Sequence, residues 1–186
     1  MDKVLFLKQY IRNPRTIGAV MPSSQALAEK MVESIDFDNA KCIVEYGPGT
    51  GVFTEKLVEN KREDMPLIVI EFNEGLCEVL REKFRNEKNV HIINDSAENI
   101  DRYLEDYNIK ELRYVVSGLP FASLPKEMSD NILDKTRNIL DKDGQFITFQ
   151  YTLFKKAYIK KFFPAINIKR VIKNFPPAYV FTCSSR

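Results

Sequence analysis

The chain has 186 residues, of which 44% are hydrophobic and 29% charged, and its formal net charge is +2. This length fits one domain with a sizeable core, and no apolar run approaches the roughly 20 residues that a bilayer span requires. After Asp2 and Lys3 the N-terminus has too short an apolar run for a signal peptide, so we expect a cytoplasmic protein. The three cysteines lack C-x-x-C spacing, which favours buried free thiols over disulfides or zinc.

Strand and helix patterns alternate along the chain from residue 41 onward. Strands are predicted near 41–46, 67–72, 90–94, 113–118, 144–151, 168–174 and 178–184. Helices are predicted near 52–61, 74–86, 97–106, 126–140 and 153–162. This order predicts an α/β fold with a seven-stranded, mostly parallel sheet and helices on both faces. The last two strands form an antiparallel hairpin, because no helix separates them.

A glycine-rich turn joins the first predicted strand to its helix. It follows the apolar run 42–44 and precedes the helical pattern that begins at Val52. Glycines at G-x-G-x-G spacing let the backbone approach a ligand closely, and the start of the helix offers unpaired N–H groups. We therefore expect a nucleotide-like cofactor to bind at Glu45, Tyr46, Gly47, Gly49, Thr50 and Gly51.

Acidic residues stand at the ends of the next two predicted strands. Glu71 lies 20 residues beyond Gly51, where a carboxylate can accept hydrogen bonds from both ribose hydroxyls. Asp95 follows the third strand and could accept from an adenine amine. The alternative is that both are ordinary polar strand ends. The predicted cofactor contacts here are Glu71, Phe72, Asp95, Ser96 and Ala97.

Together, these three motifs resemble those of the class I S-adenosylmethionine-dependent methyltransferases. The resemblance implies a Rossmann-like fold over one methyltransferase domain, 1–186, with an N-terminal helical segment at 1–36 and a core at 37–186. It also implies S-adenosylmethionine as the cofactor, with Ser117 and Gly118 beside it at the end of the fourth strand. Ser23 and Ser24 begin a helical pattern, and they could be N-caps or could meet the cofactor's carboxylate.

The segment after the fourth strand, Ser-Gly-Leu-Pro-Phe at 117–121, resembles the N-L-P-F/Y motif of the rRNA adenine N6-dimethylases. In that motif the asparagine side chain and the proline carbonyl accept hydrogen bonds from the target amine, and the aromatic ring stacks on the base. Gly118 occupies the asparagine position in this chain. The planar adenine amine therefore lacks an orienting amide, and RNA is the less favoured partner.

A larger set of motifs is similar to the bacterial soluble phospholipid N-methyltransferases, which methylate phosphatidylethanolamine. The similar stretches are 12–24, 46–54, 117–121 and 176–180. This resemblance implies N-methylation of a phospholipid headgroup amine and peripheral binding to anionic membranes. There are two alternatives. One is a methyltransferase that acts on RNA adenine or another small amine, and the other is a cofactor-binding protein without catalysis.

Charge is distributed unevenly along the chain. Residues 151–186 carry +8 with no Asp or Glu and residues 1–24 carry +3, so residues 25–150 carry −9. Basic segments of this kind suit phosphate on lipid headgroups or on nucleic acid. Residues 3–15 combine cations with an apolar helical face, which predicts a helix lying in a membrane interface, and 153–163 repeats the pattern. Either helix could instead pack its apolar face on the sheet.

No catalytic base stands out, and no metal site is predicted. The single histidine, His91, lies inside a strand pattern and is interpreted as structural. A methylated ammonium could be contacted by aromatic rings through cation–π interactions. The candidate acceptor-side residues are Tyr10, Tyr151, Tyr179, Leu119, Pro120 and Phe121.

Overall fold

A seven-stranded sheet lies at the centre of the computed structural model, which describes residues 23–185. Its strands are β1 Ile43–Tyr46, β2 Leu67–Glu71, β3 Val90–Asn94, β4 Tyr114–Ser117, β5 Gln145–Gln150, β6 Ala165–Val171 and β7 Ala178–Ser184. The strand order is β3-β2-β1-β4-β5-β7-β6, and neighbours are parallel except that β7 is antiparallel to β5 and β6. The predicted α/β sheet and its C-terminal hairpin are confirmed.

Six α-helices lie along the sheet within residues 23–185. They are α1 Gln25–Val32, α2 Val52–Asn60, α3 Glu74–Lys83, α4 Ile100–Asp106, α5 Lys126–Ile139 and α6 Lys156–Ile159. Short 3-10 turns at Ala97–Asn99 and Leu153–Lys155 precede α4 and α6. None of the helices in the described part of the chain is long and apolar enough to cross a membrane.

Two apolar cores cover the faces of the sheet. Val44 and Tyr46 face α4 and α5, whereas Ile43 faces α1 and α2, because successive strand residues point to opposite sides. Strand β1 is buried along its whole length, as expected for a central parallel strand. The carboxyl ends of β1, β2, β3 and β4 meet at one edge of the sheet, which brings together the turns that follow them.

The largest differences from the predicted bounds are in β6 and in the helix predicted at 153–162, and the ends of the other elements differ by three residues or fewer. Strand β6 begins and ends three residues earlier than predicted, since Val171 pairs with Ala178 and residues 172–177 form the connecting loop. The predicted helix at 153–162 is only a 3-10 turn followed by the four-residue α6. The predicted interfacial helix at 3–15 and Tyr10 lie outside the described residues.

Candidate active site

The glycine-rich turn lies at the carboxyl edge of the sheet, between β1 and α2. Gly47, Gly49 and Gly51 have φ angles of 60°, 57° and 83°, a region that favours glycine. A β-carbon at Gly49 would meet no heavy atom within 4 Å, so open space adjoins the turn there. Helix α2 begins at Val52 without a side-chain cap from the described residues. Its first N–H groups are therefore available to an anionic ligand group.

Gly118, just after β4, packs directly against this turn. Its N–H donates to the Tyr46 carbonyl oxygen at 2.8 Å. A β-carbon at position 118 would lie 2.4 Å from the carbonyl oxygen of Gly47, far inside van der Waals contact. The next residue, Leu119, also packs over Gly47, since a β-carbon there would be 2.7 Å from Leu119 Cδ2. A side chain at position 118 would therefore require the Gly47 backbone to shift.

Glu45 is a fully buried carboxyl two residues before the turn. Neither of its carboxyl oxygens has a hydrogen-bond partner among residues 23–185, and the adjacent Thr54 hydroxyl does not meet hydrogen-bond geometry. Burial raises the pKa of Glu45 to about 8; Thr54 offsets part of this shift, and the charge of Glu71 adds to it. Because a buried polar group without a partner is costly, the arrangement suits a donor supplied by a ligand.

Glu71, the last residue of β2, holds the glycine-rich turn against that strand. Its Oε2 accepts from the Gly49 N–H at 3.3 Å, and its Oε1 accepts from the Asn73 N–H at 2.9 Å. Burial raises the pKa of the Glu71 carboxyl, and these backbone donors lower it in part. Each oxygen keeps a lone pair for a further donor, so the carboxylate can still accept from ligand hydroxyls. Phe72, the next residue, is exposed.

Asp95 lies after β3 at the same edge, and its carboxylate is already well supplied with donors. Its Oδ2 accepts from the Tyr103 hydroxyl at 2.6 Å, and its Oδ1 accepts from the Ser96 N–H at 2.7 Å and the Asn99 side chain at 3.0 Å. Burial raises the pKa of Asp95, but these hydrogen bonds outweigh burial and hold the pKa below its ordinary value. One lone pair remains for a ligand donor. Ala97, in the turn that follows, is buried.

Tyr46, Thr50 and Ser117 were also predicted to contact the cofactor, and their side chains lie in different surroundings. The Tyr46 side chain points into the core, where its hydroxyl accepts from Thr136 Oγ1 at 3.4 Å, so only its backbone borders the turn. Thr50 is exposed, and its carbonyl oxygen accepts from Lys83 Nζ at 3.1 Å. Ser117 is buried at the end of β4.

The N-terminal candidates Ser23 and Ser24 lie beside the loop between β6 and β7. Ser24 Oγ accepts from the Leu27 N–H at 3.1 Å, which makes Ser24 the N-cap of α1. Its backbone N–H donates to Asn174 Oδ1 at 3.0 Å, which fixes the start of α1 to that loop. The N-cap interpretation is confirmed, whereas a contact between these serines and the cofactor stays a prediction. Asn174 was not predicted, because its partner is 150 residues away in sequence.

The Leu-Pro-Phe segment after β4 uses its aromatic ring and its proline carbonyl inside the protein. Phe121 is fully buried, and its ring meets Phe146 edge-on with centroids 5.9 Å apart. The Pro120 carbonyl oxygen accepts from the N–H groups of Ser123 at 2.8 Å and Leu124 at 3.1 Å. Phe121 thus packs in the core and the Pro120 carbonyl closes the following turn, while the acceptor-side roles of Leu119, Pro120 and Phe121 stay predictions.

Tyr151 and Tyr179, predicted to contact one ammonium, lie on opposite faces of the sheet. Tyr151 follows β5 on the α1 and α2 face, where its ring meets Phe149 edge-on at 5.4 Å. Tyr179 packs on the other face, and the Arg170 guanidinium lies 5.9 Å from its ring centroid. The structure therefore does not bring the two tyrosines together.

A row of aromatic rings links Gly118 to Tyr151. Phe53 Cε2 would lie 3.7 Å from a β-carbon at position 118, and the Phe53 ring meets Phe149 edge-on at 5.6 Å. Phe149 in turn contacts Tyr151. Sequence analysis missed Phe53 and Phe149 because their helix and strand patterns are those of ordinary core residues.

His91 is partly buried and the three cysteines are buried, and none of them forms a metal site with the described residues. Within residues 23–185, no group of three or more His, Cys, Asp or Glu is placed to hold a metal ion. The His91 ring contacts Tyr107 with centroids 4.4 Å apart, and burial lowers the pKa of His91. All three cysteines are free and buried, as predicted, and burial raises the thiol pKa of Cys42 and Cys183 to about 12.

Solved structures with the same sheet include two proteins of low identity. A precorrin 8w decarboxylase from Methanobacterium thermoautotrophicum has a TM-score of 0.67 and 16% identity, covering 89% of this chain and 92% of that one. A Streptococcus mutans protein in complex with SAH has a TM-score of 0.63 and 17% identity, covering 88% and 99% of the two chains. At these identities the likeness shows the fold alone.

The family model described as ribosomal RNA adenine dimethylase matches residues 12–170. The chain belongs to this family. An ornithine lipid N-methyltransferase from Singulisphaera acidiphila is 30% identical over 184 residues, 98% of this chain and 95% of that protein. Ribosomal RNA small subunit methyltransferase A from Mycoplasma capricolum is 33% identical over 117 residues. That alignment covers 62% of this chain and 40% of that relative. The chain is thus an S-adenosylmethionine-dependent N-methyltransferase.

The residues at the carboxyl edge fit the family's cofactor. The positive-φ turn leaves open space at Gly49, and the unpartnered Glu45 carboxyl lies just before it. Glu71 and Asp95 add carboxylate acceptors at the next two strand ends, each with capacity left for a ligand donor. S-adenosylmethionine offers hydroxyl, amine and carboxylate groups that match these acceptors and the free N–H groups of α2.

Proposed function

We propose that this methyltransferase acts on the primary amine of a membrane-lipid headgroup, such as that of phosphatidylethanolamine. The proposal rests on the glycine at position 118, which has no side-chain amide and packs so closely on Gly47 that a β-carbon would lie 2.4 Å from the Gly47 carbonyl oxygen. In the adenine dimethylase motif, an asparagine at this position orients a planar amine. A lipid amine is tetrahedral and rotates freely, so it does not depend on an in-plane amide acceptor.

The Pro120 carbonyl supports the same choice of acceptor. Its oxygen accepts hydrogen bonds from the Ser123 and Leu124 N–H groups. In the adenine motif the proline carbonyl is the second acceptor for the target amine, and here that oxygen already has two donors within the protein. The relative that aligns over nearly all of this chain is named for a lipid, whereas the ribosomal RNA relative aligns over 117 residues. Ornithine lipid and phosphatidylethanolamine both present a primary aliphatic amine, which is the acceptor class that we propose.

For the cofactor, we propose that Glu71 accepts from the ribose hydroxyls and Asp95 from the adenine amine. The glycine-rich turn and the first N–H groups of α2 hold the amino-acid end, with Glu45 as the acceptor for its ammonium group. When bound, S-adenosylmethionine supplies a methyl group on an electrophilic sulfonium. The chain's own contribution is to align this group with the acceptor and to exclude water.

On the acceptor side, we propose that Tyr151 contacts the methylated ammonium that forms when the neutral headgroup amine accepts the methyl group. The row formed by Phe53, Phe149 and Tyr151 begins with Phe53 beside Gly118 and ends at Tyr151, two rings away, so the proposal places the headgroup along this row. A methylated ammonium is attracted to aromatic faces and keeps this attraction after each transfer.

Methyl transfer to separated acceptors tests the proposal. The purified chain is incubated with labelled S-adenosylmethionine and detergent-dispersed phosphatidylethanolamine, ornithine lipid or small-subunit rRNA, and products are identified by mass spectrometry. We expect label in lipid and none in dimethyladenosine. Glu71→Gln should abolish most of this incorporation, while Glu74→Gln, an exposed change three residues away, should not.

The alternative acceptor is adenine in RNA, which the family match and the ribosomal RNA relatives favour. Robust dimethyladenosine formation with no methylated lipid would refute the lipid proposal. Label in ornithine lipid but not in phosphatidylethanolamine would retain the acceptor class and change the headgroup.

A further inference from the structure

Four large apolar side chains project from two segments at one edge of the sheet. Leu153 and Phe154, after β5, are 47% and 93% exposed, and Ile172 and Phe175, between β6 and β7, are 71% and 79% exposed. Strands β5 and β6 are both antiparallel to β7, so they point the same way and their following segments leave the same edge. Only β7 separates them, which puts the two strand ends about 10 Å apart.

Both segments are anchored, so the outward position of their tips is built into the fold. Asn174, between Ile172 and Phe175, is buried and accepts from the Ser24 N–H, while its side-chain amide donates to the Pro176 carbonyl at 2.7 Å. The segment after Phe154 is held by Ile159 and Phe163, which are fully buried. Large apolar groups held in water in this way indicate a surface that meets an apolar partner.

The positive charge around the four exposed apolar side chains indicates what kind of partner they contact. Lys156, Lys160 and Lys173 are exposed, and none of them forms an ion pair with a residue in the described part of the chain. Residues 151–186 contain no Asp or Glu. Apolar tips between lysines match an anionic bilayer, where aliphatic groups enter the interface and lysines meet phosphate. A second copy of the chain would bring two such basic surfaces together and is disfavoured by repulsion.

We propose that Leu153, Phe154, Ile172 and Phe175, with Lys156, Lys160 and Lys173, form a docking surface for anionic membranes. This inference rests on the proposed lipid substrate and deepens it. The docking surface lies at the carboxyl edge of the sheet, the same edge that carries Gly118 and the glycine-rich turn. Docking there points the acceptor side of the site at the headgroup layer, so a lipid amine is reached without extraction from the bilayer.

Tryptophan scanning tests the orientation directly, since the chain contains no tryptophan. Phe154→Trp and Phe175→Trp each introduce one reporter, and Val79→Trp, at a 56% exposed position on α3, is the control. With phosphatidylglycerol–phosphatidylcholine vesicles at low salt, we expect a blue shift and quenching by brominated acyl chains at positions 154 and 175 but not at 79. Absence of vesicle binding, unshifted emission at 154 and 175, or an equal shift at 79 would each overturn the docking surface.

A loss-of-binding variant gives a second measurement. Phe154→Ser/Phe175→Ser should weaken vesicle sedimentation about tenfold or more, because two apolar side chains no longer leave water, while Val79→Ser should not. Unchanged thermal unfolding and cofactor affinity establish that the double variant is folded. Binding equal to that of the unmodified protein would refute the docking surface.

The same variants separate this inference from the proposed function. On detergent-dispersed phosphatidylethanolamine the double variant should retain methyl transfer, and on vesicles it should lose it roughly in proportion to binding. If the unmodified protein methylates no lipid in either form, the proposed function fails, and the fluorescence and sedimentation results still decide the docking surface. If it methylates vesicle lipid while the double variant binds and reacts normally, the function stands and the docking surface is wrong.

Discussion

Glu71 links the proposed cofactor contacts to the turn that it holds against β2. Glu71→Ala deletes the proposed ribose acceptor and also frees the Gly49 N–H, so S-adenosylmethionine binding should weaken by about 1.5 to 3 kcal/mol. Isothermal titration calorimetry measures the change. Glu74→Ala, on the exposed part of α3 where Glu74 pairs with Arg81, is the matched control and should bind normally. Unchanged affinity in Glu71→Ala would sink the assignment.

Glu45 makes the stability of the cofactor-free protein depend on pH. Its pKa is about 8 in the folded protein against an ordinary 4.5, so above pH 4.5 the unfolded chain loses a proton that the folded chain keeps. Stability therefore falls as the pH rises from about 4.5 to 8. Glu45→Gln removes this loss and should make the cofactor-free protein more stable than the unmodified one by up to about 4 to 5 kcal/mol at pH 8.5. Urea denaturation at pH 5 and pH 8.5 measures it, and parallel pH dependences in the two proteins would contradict the prediction.

Gly118 lies in a crowded position, and Gly75, which has more space, serves as its control. Gly118→Ala places a β-carbon against the Gly47 carbonyl oxygen and should cost about 1 to 3 kcal/mol of stability, with weaker cofactor binding because the turn must move. Gly75 lies in α3, where a β-carbon has no neighbour closer than 3.4 Å, so Gly75→Ala should stabilise the protein by about 0.5 kcal/mol. Thermal unfolding of both variants measures the difference, and equal effects would show that the contact at position 118 relaxes freely.

At the residue scale, spacing was enough to predict that the three proposed cofactor motifs lie together. Three motifs after three parallel strands must meet at one edge, which is where Gly49, Glu71 and Asp95 lie. The acceptor side could not be predicted, because it depends on local geometry. The burial of Phe121 and the use of the Pro120 carbonyl follow from the turn after β4, which no spacing encodes.

At the element scale, Asn174 joins the start of α1 to the β6–β7 loop. Its buried side chain accepts from the Ser24 N–H and donates to the Pro176 carbonyl. Asn174→Ala would leave both backbone groups without a partner and should cost about 2 kcal/mol of stability. Urea denaturation measures this cost. Asn167→Ala, an exposed change on β6, should stay within about 0.5 kcal/mol of the unmodified protein, and an equally small effect at Asn174 would show that water replaces both bonds.

The same loop explains why β6 was predicted three residues too late. The apolar pattern continues through Ile172, but Asn174 and Pro176 turn the chain away from the ladder, and Ile172 faces solvent. Strand β7 agreed with its predicted bounds because it lies between two partners, so its pattern reflects burial on both faces. Edge elements are set by such specific contacts, which the sequence pattern alone does not reveal.

For the whole molecule, the order of strands divides the carboxyl edge into two parts. The cofactor candidates follow β1, β2 and β3, whereas the docking surface follows β5 and β6 at the other end of the sheet, with Gly118 after β4 between them. Residues 25–150 carry −9 and residues 151–186 carry +8, so positive charge is concentrated in the segment that bears the docking surface. Such a charge distribution orients a protein as it approaches an anionic surface, and the effect weakens with salt.

The N-terminal segment should add to this attraction. It carries +3 over residues 1–24, and the chain enters α1 at Ser24, which is bonded to the loop that bears Ile172 and Phe175. Each lysine or arginine near an anionic bilayer contributes about 1 kcal/mol at low salt. Replacing Lys3, Lys8, Arg12 and Arg15 with glutamine should therefore weaken vesicle binding by several kcal/mol and leave cofactor affinity nearly unchanged, because none of the four is among the proposed cofactor contacts.

Sedimentation with anionic vesicles at several salt concentrations measures the affinity for the membrane and tests this prediction. The control replaces Lys41, Lys110 and Lys142 with glutamine, since these exposed lysines precede β1, β4 and β5 and so lie at the opposite edge of the sheet. If cations act only where they face the bilayer, the N-terminal variant should lose binding and salt dependence while the control keeps most of both. Equal losses in the two variants would mean that net charge, rather than the placement of the N-terminal cations, draws the protein to the membrane.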